Sequence, residues 1–258
     1  MVKVLKNYLF IVVLLFSCFN NNVSRDDLME VTFKSAVDSF NDGKYVKAKE
    51  QFLDLMYSNP LGNIDDCQFY IAECEYNLKN YKQAIVEYSK YLRSNYRKSS
   101  FTVKSEIMLC RCHYKLSMDF YKDQSDTYTA LEKLQYYIEK ESLFEFKSEL
   151  SQMIIDLRNK LAKKDFETAK LYVRLEKYDS AKLYYNSILD EFYDSDYFDF
   201  SIINLSILNS FDSVENAKKF IQESESDFLD KQNYLDAIEL MDSIEENKKI
   251  EYYAKLLR

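Results

Sequence analysis

Apolar residues recur along this chain at helical spacing. Phe33, Ala36, Val37 and Phe40 fall at i, i+3, i+4 and i+7, and Ala48, Phe52 and Leu55 resume that period after Gly43. The stripe predicts two amphipathic helices joined by a tight turn. Ser24 with Asp27 resembles a capping box and places the first helix start near Arg25. This first unit runs from about Met29 to Asn63, and Pro60 stands where its second helix should end, because proline cannot continue one. Further helices are predicted over Val103–Leu116 and Tyr128–Lys140, separated by the polar, Asp-rich insertion Ser117–Thr127. From Phe146 to Leu175 a long helix carries Leu150, Ile154, Leu157 and Leu161 on one stripe. After a slip near Lys163–Asp165 the stripe resumes as Phe166, Ala169 and Tyr172, which marks a change of helix neighbours. Leu229–Arg258 reads as a charged capping pair, with Tyr234, Ile238 and Met241, then Ile250, Tyr253 and Leu257, facing inward.

A phrase repeats across these elements. Gly43-Lys44-Tyr45-Val46-Lys47-Ala48 is echoed by Lys79-Asn80-Tyr81-Lys82-Gln83-Ala84 and by Glu176-Lys177-Tyr178-Asp179-Ser180-Ala181. An aromatic three residues before an alanine, at a turn between amphipathic stretches, is the core of a tetratricopeptide unit. Ala48 to Ala84 and Ala181 to Ala217 each span 36 residues, whereas Ala84 to Ala130 spans 46 and Ala130 to Ala181 spans 51. The third repeat therefore carries an insertion, and the fifth, about Tyr197 to Ser226, is degenerate. The expected fold is all-α: a tetratricopeptide-repeat solenoid of about five helix pairs with a C-terminal helical cap. Residues 29–141 would form an N-terminal half of repeats 1–3, and residues 142–258 a C-terminal half of repeats 4–5 and the cap. In a solenoid no helix pair buries its apolar face alone, so stability comes from stacking. The repeated alanines would permit close helix approach, and the turn aromatic would fill the gap to the next unit.

Composition agrees with helices. Only 2 Gly and 1 Pro occur, too few for the turns of a sheet protein, and 23 Tyr and 18 Phe against no Trp make the packing heavily aromatic. Before the repeats, Lys3 and Lys6 precede the apolar run Tyr8–Phe16, too short to span a bilayer that needs about 20 residues. Leu15-Phe16-Ser17-Cys18 closes it as a bacterial lipoprotein cleavage box, so residues 1–17 read as a signal peptide and residues 18–28 as a lipidated Cys18 and its tether. The competing readings are an uncleaved anchor and an ordinary signal with a chance cysteine. Phe19, where an aspartate would favour the inner membrane, favours anchoring in the outer membrane. The diacylglyceryl group and amide-linked palmitate on Cys18 would be the only non-protein group; no cofactor or metal is expected. Removing residues 1–17 takes away two lysines and no acid, which carries the formal charge from −8 to −10. With no basic block, nucleic acid is not an expected partner.

Enzymatic signatures are missing. The chain has no glycine-rich phosphate loop, no nucleophile elbow and a single histidine, His113. Carboxylate pairs such as Asp65-Asp66 and Glu245-Glu246 read as solvated helix surface. Cys67 and Cys74 lie about 10 Å apart along one helix, too far to bond each other. A bond from Cys74 to Cys110 or Cys112 competes with the reading of all four as buried thiols, and one histidine argues against zinc. The chemistry-bearing pattern is instead a groove. First helices line the concave side of stacked repeats, which would set Phe33 and Phe40 beside Phe69 and Tyr76, then Tyr114, as an aromatic wall. Lys104, Arg111 and Lys115 fall on the corresponding face of the third unit. Rings beside cations suit an extended peptide that ends in an aromatic residue and a free carboxylate, which Arg111 could grip with two parallel hydrogen bonds. The competing reading makes some of these rings inter-repeat core.

The run from Leu157 to Leu189 resembles one family in particular. Its most specific piece is Leu161, Ala162, Asp165, Phe166, Ala169 and Tyr172, and Asp123-Gln124 with Thr127-Tyr128-Thr129 before Ala130 resembles that family's long third-repeat turn. The family is BamD, the outer-membrane β-barrel assembly lipoproteins, with five tetratricopeptide repeats after a lipobox cysteine. The chain departs from it at Tyr96 and Tyr193, where proline is usual, and at Glu176, where glycine is usual. The resemblance implies a non-enzymatic subunit of the barrel-assembly (BAM) machine, whose partners are unfolded outer-membrane proteins at the N-terminal repeats and a BamA-type barrel protein at the C-terminal repeats. For that second contact it points to Lys170, Arg174, Lys177 and Tyr184, against a reading of the same residues as solvated helix face. The alternative is another periplasmic tetratricopeptide adaptor, serving Tol–Pal or a peptidoglycan enzyme; such adaptors often carry an N-terminal coiled coil and lack a lipobox.

Overall fold

The computed structural model describes residues 25–58, 64–94 and 101–247. Among these residues there are eleven α-helices packed in successive pairs and no strand. The chain divides into two compact units, Met1–Tyr91 and Leu92–Arg258. Cys18, Pro60, Tyr96, Ile250, Tyr253 and Leu257 lie outside the described residues.

The first unit is built from α1 (Arg25–Asn41), α2 (Tyr45–Ser58), α3 (Ile64–Asn77) and α4, which begins at Tyr81 and runs to Arg93. Its core is aromatic. Phe52 stacks on Tyr70 at 5.0 Å, and Phe33 and Phe40 meet the same tyrosine edge-on at 6.0 and 5.5 Å. Phe69 packs against Tyr88 and Tyr91 of α4. Three buried carboxylates on α3 and α4 each find donors. Glu73 accepts from the Tyr88 hydroxyl, Glu75 from Lys49 and Asn80, and Glu87 from Gln68, Gln83 and Lys90. Buried charge without such partners would be strongly destabilising.

The second unit contains α5 (Thr102–Leu116), α6 (Ser125–Ile138), a 3-10 turn (Glu141–Phe146), α7 (Lys147–Arg174), α8 (Tyr178–Glu191), α9 (Phe198–Ser210), α10 (Val214–Glu223) and α11 (Lys231–Asn247). The 28-residue α7 is unbroken. Its buried stripe runs Leu150, Leu157, Leu161 and then Ala162, Ala169, Val173, so the slip falls at Leu161–Ala162, slightly before its expected place, and Val173 fills the core where Tyr172 is only half-buried. The first half of α7 packs on α5 and α6, and the second half on α8 through Phe166–Tyr185 and Tyr172–Tyr184.

At its middle, α7 pins two irregular segments. On one side the Arg158 guanidinium donates to the Asp194 carboxylate at 2.7 Å and to the Glu191 carbonyl at 2.8 Å, and lies over the rings of Phe192 and Tyr193. Asn159 exchanges two hydrogen bonds with Asp196. This clamp sits just beyond the end of α8 at Glu191; Tyr193 itself is exposed. On the other side Lys160 reaches Ser117 Oγ at 2.6 Å, Lys163 lies 4.6 Å over the Phe120 ring, and Lys164 donates to the Lys122 carbonyl. Gln124 organises that insertion from within, donating to the carbonyls of Asp119 and Lys122 and accepting from Thr127.

The repeated phrase is a capping device. At Gly43, Lys79 and Glu176 the backbone turns left-handed, with φ of 75°, 63° and 57°. In each turn this N–H bonds three residues back and the next N–H five back: Gly43 to Phe40 and Lys44 to Ser39, Lys79 to Tyr76 and Asn80 to Glu75, Glu176 to Val173 and Lys177 to Tyr172. Such a Schellman pair satisfies carbonyls that a helix end leaves open. The turn tyrosines pack in two ways. Tyr45 and Tyr81 pack edge-on against Phe40 and Tyr76 of their own pairs, and Tyr178 reaches forward, to Phe211. The periodic alanines Ala48, Ala84, Ala130, Ala181 and Ala217 are all fully buried. A second set, Ala36, Ala72 and Ala169, stands twelve residues before three of them and is buried as completely. A methyl on each facing helix lets the two axes approach closely.

The C-terminal cap is attached through α9. Asp199, nearly buried, accepts from the backbone N–H groups of Leu229 and Asp230 at 2.8 and 2.9 Å and from the Asn233 amide at 2.9 Å. α11 then buries Ala237, Met241 and Ile244, while Tyr234 and Ile238 are half-buried.

Candidate functional site

The residues expected to form a groove fall in both units, and each set is described within its own. In the first unit the aromatic wall is largely core. Phe69 is 1% exposed and offers no surface, a correction that follows from α4 packing Tyr88 and Tyr91 against it. Phe33 and Phe40 are half-buried against Tyr70, and Tyr76 packs edge-on with Tyr81 at 5.5 Å. Four rings that look alike in sequence thus differ in how much surface they keep.

In the second unit Lys104 and Lys115 are exposed on α5, but Arg111 is not an open cation. Its guanidinium grips Glu149 of α7 with two parallel bonds, Nε to Oε1 at 2.7 Å and Nη2 to Oε2 at 2.9 Å. That pairing holds the Glu149 carboxyl below its ordinary range. The Tyr114 hydroxyl donates to Asp156 at 2.8 Å, and burial, with that hydrogen bond, pushes the phenol up to about 12. Sequence reasoning placed Arg111 and Tyr114 on one face and missed their partners. The available signal was the seven-residue spacing of Glu149 and Asp156, which puts both on one side of α7.

The docking candidates are only partly brought together. Tyr184 stacks on Tyr172 at 5.5 Å, and Lys170 lies over Phe166 and beside Glu167. Arg174 is exposed in the last turn of α7, and Lys177 is exposed just before α8. Lys177 lines a cleft of 380 Å³ together with Leu208 and the Tyr178–Phe211 ring pair. Exposed Leu171 on α7 and Leu175 just past its end flank Arg174, and Leu183 on α8 is 71% exposed.

Burial pushes the thiols of Cys67, Cys74 and Cys110 up to about 12, where nucleophilic thiolate is scarce, and Cys112 is buried likewise. His113 is held below its ordinary value, chiefly by burial and then by Lys133. Asp65 and Asp66 are half-buried rather than solvated, and burial raises both; Glu245 is exposed and pairs with Lys218. Among the described residues no cluster of His, Cys, Asp or Glu could hold a metal ion, and no helix is long and apolar enough to cross a membrane.

No curated protein matches the chain significantly. Its likeness lies with a protein family instead. From the start of α1 into α10, residues 25–219 match the family described as outer membrane lipoprotein, YfiO, so that the capped turns, the pinned insertion and the long α7 all fall inside the match and the chain belongs to that family.

Proposed function

We propose that this protein is a non-enzymatic, lipid-anchored scaffold of the BamD type, serving the machine that assembles β-barrels in the outer membrane. Its anchor is the lipid on Cys18, at the periplasmic face of that membrane. The α5 face around Arg111 and Tyr114 receives the extended C-terminal segments of unfolded outer-membrane proteins. The end of α7 and the start of α8, with Lys170, Arg174, Lys177 and Tyr184, dock a BamA-type partner. The observation that carries this reading is the family match across 25–219 on a repeat fold. Exposed Leu171, Leu175 and Leu183 among the cations add support, because a docking face combines apolar area with a charged rim.

Affinity purification of the full chain from membranes tests it. A large outer-membrane barrel with tandem periplasmic domains should co-purify, and Cys18→Ala should release the chain from the membrane fraction when its partners are absent. Recovery of Tol–Pal components or a peptidoglycan enzyme instead would replace this reading with the adaptor alternative.

A further inference from the structure

Arg111 and Glu149 form a closed fork between α5 and α7. Two parallel N–H···O bonds are how a guanidinium holds any carboxylate, whether from a side chain or from a chain terminus. The two side chains keep 33% and 35% of their surface, so the pair is not sealed into the core. The guanidinium therefore presents part of its surface to solvent. The pair does not hold α7 alone, because Leu150 and Leu157, each one residue past an acid, are fully buried. α7 thus sets carboxylates at Glu149 and Asp156 against Arg111 and Tyr114 of α5, and Lys115 is exposed on the same helix.

We propose that Glu149 is a built-in occupant of a carboxylate-recognition site on α5, standing in for the C-terminal carboxylate of an extended peptide that must displace it from Arg111. The inference rests on the reading of the α5 face as a peptide-binding surface, and it adds a selection rule to that reading. A ligand that brings only a carboxylate exchanges one ion pair for an equal one and gains nothing. It also meets the repulsion of the displaced Glu149. Only a ligand that adds apolar or aromatic contact outcompetes the internal acid, so Glu149 rejects small anions and acidic segments while admitting aromatic-ended chains.

The test measures binding of a synthetic peptide of about ten residues, ending in phenylalanine, as free acid and as amide. The full chain is compared with Glu149→Gln, Arg111→Gln and the double variant. Glu149→Gln should tighten the acid peptide by roughly tenfold and leave the amide unchanged, and the gain should vanish in the double variant. If the parent chain prefers acid over amide but Glu149→Gln brings no gain, the internal occupant is overturned and the peptide site stands. Should no protein distinguish acid from amide, both fall. A lowered thermal midpoint in Glu149→Gln without tighter binding would assign the pair to fold stability and remove the proposal.

Discussion

The unit that ends at Tyr91 joins its helices with alanines and interlocking rings, whereas the unit that follows is organised around one long helix and its charged clamps. In the first, Phe33, Phe40 and Phe52 converge on Tyr70, and α1 meets α2, and α3 meets α4, through Schellman turns at a regular spacing. In the second the spacing breaks, and Arg158, Asn159, Lys160, Lys163 and Lys164 tie down the two segments that break it. Where the period holds, a small residue at the crossing and a capped turn suffice. Where it fails, irregular backbone must be bonded by side chains, since its own N–H and C=O groups no longer pair in a helix.

The largest test asks whether the alanines matter equally in both units. Ala84→Arg and Ala181→Arg each overpack a fully buried crossing and bury an unpaired charge, which should cost about 4 kcal/mol. Denaturant unfolding checks this, and an unchanged midpoint for either variant would remove the repeat register in that unit. A smaller loss should follow Arg158→Ala, about 2 kcal/mol, from a charged hydrogen-bond set whose arginine is 15% exposed. Hydrogen exchange should quicken around 192–197 and leave the first unit untouched; uniform acceleration would contradict a local clamp.

Turn substitutions sharpen the comparison further, because the same left-handed position occurs in both units. Lys79→Gly and Glu176→Gly should each stabilise by about 1 kcal/mol, and Gly43→Ala should destabilise by a similar amount. A Cβ at Gly43 would meet nothing within 4 Å, so its effect isolates backbone strain. Near neutral pH the smallest effect is that of the thiols, which stay protonated in both states. Cys67, Cys74 and Cys110 are raised in the fold, so an unfolded chain loses these protons first as pH rises. Their contribution is whole below about 9 and is lost between there and about 12. At about pH 8 they should resist alkylation in the native chain and react in denaturant; native labelling would contradict their burial.

The helices and the three shared turns were legible because both depend on local spacing. The alanine period depends on the same spacing, and each of its residues proved buried. Side-chain pairing was harder to read. Phe33 and Phe69 carry the same ring at the same kind of position, and only the placement of α4 decides that Phe69 is core. Arg111 looked like an open cation since Glu149 lies 38 residues away, and its partner is fixed by how α7 docks. The Arg158 clamp was hidden for the same reason. Glu176 is not a glycine, yet its turn keeps the left-handed geometry that glycine would favour, at the expense of strain.

Asp199 lies inside the segment shared with the family, and the helix it captures lies beyond that segment. Cutting the chain at residue 219, where the family likeness stops, would strip a nearly buried carboxylate of all three donors and uncover the apolar floor on which Ala237, Met241 and Ile244 rest. The boundary drawn by ancestry is therefore not the boundary drawn by solubility. A shortened chain should aggregate, and Asp199→Ala placed in that shortened chain should relieve the stranded charge without covering the exposed floor.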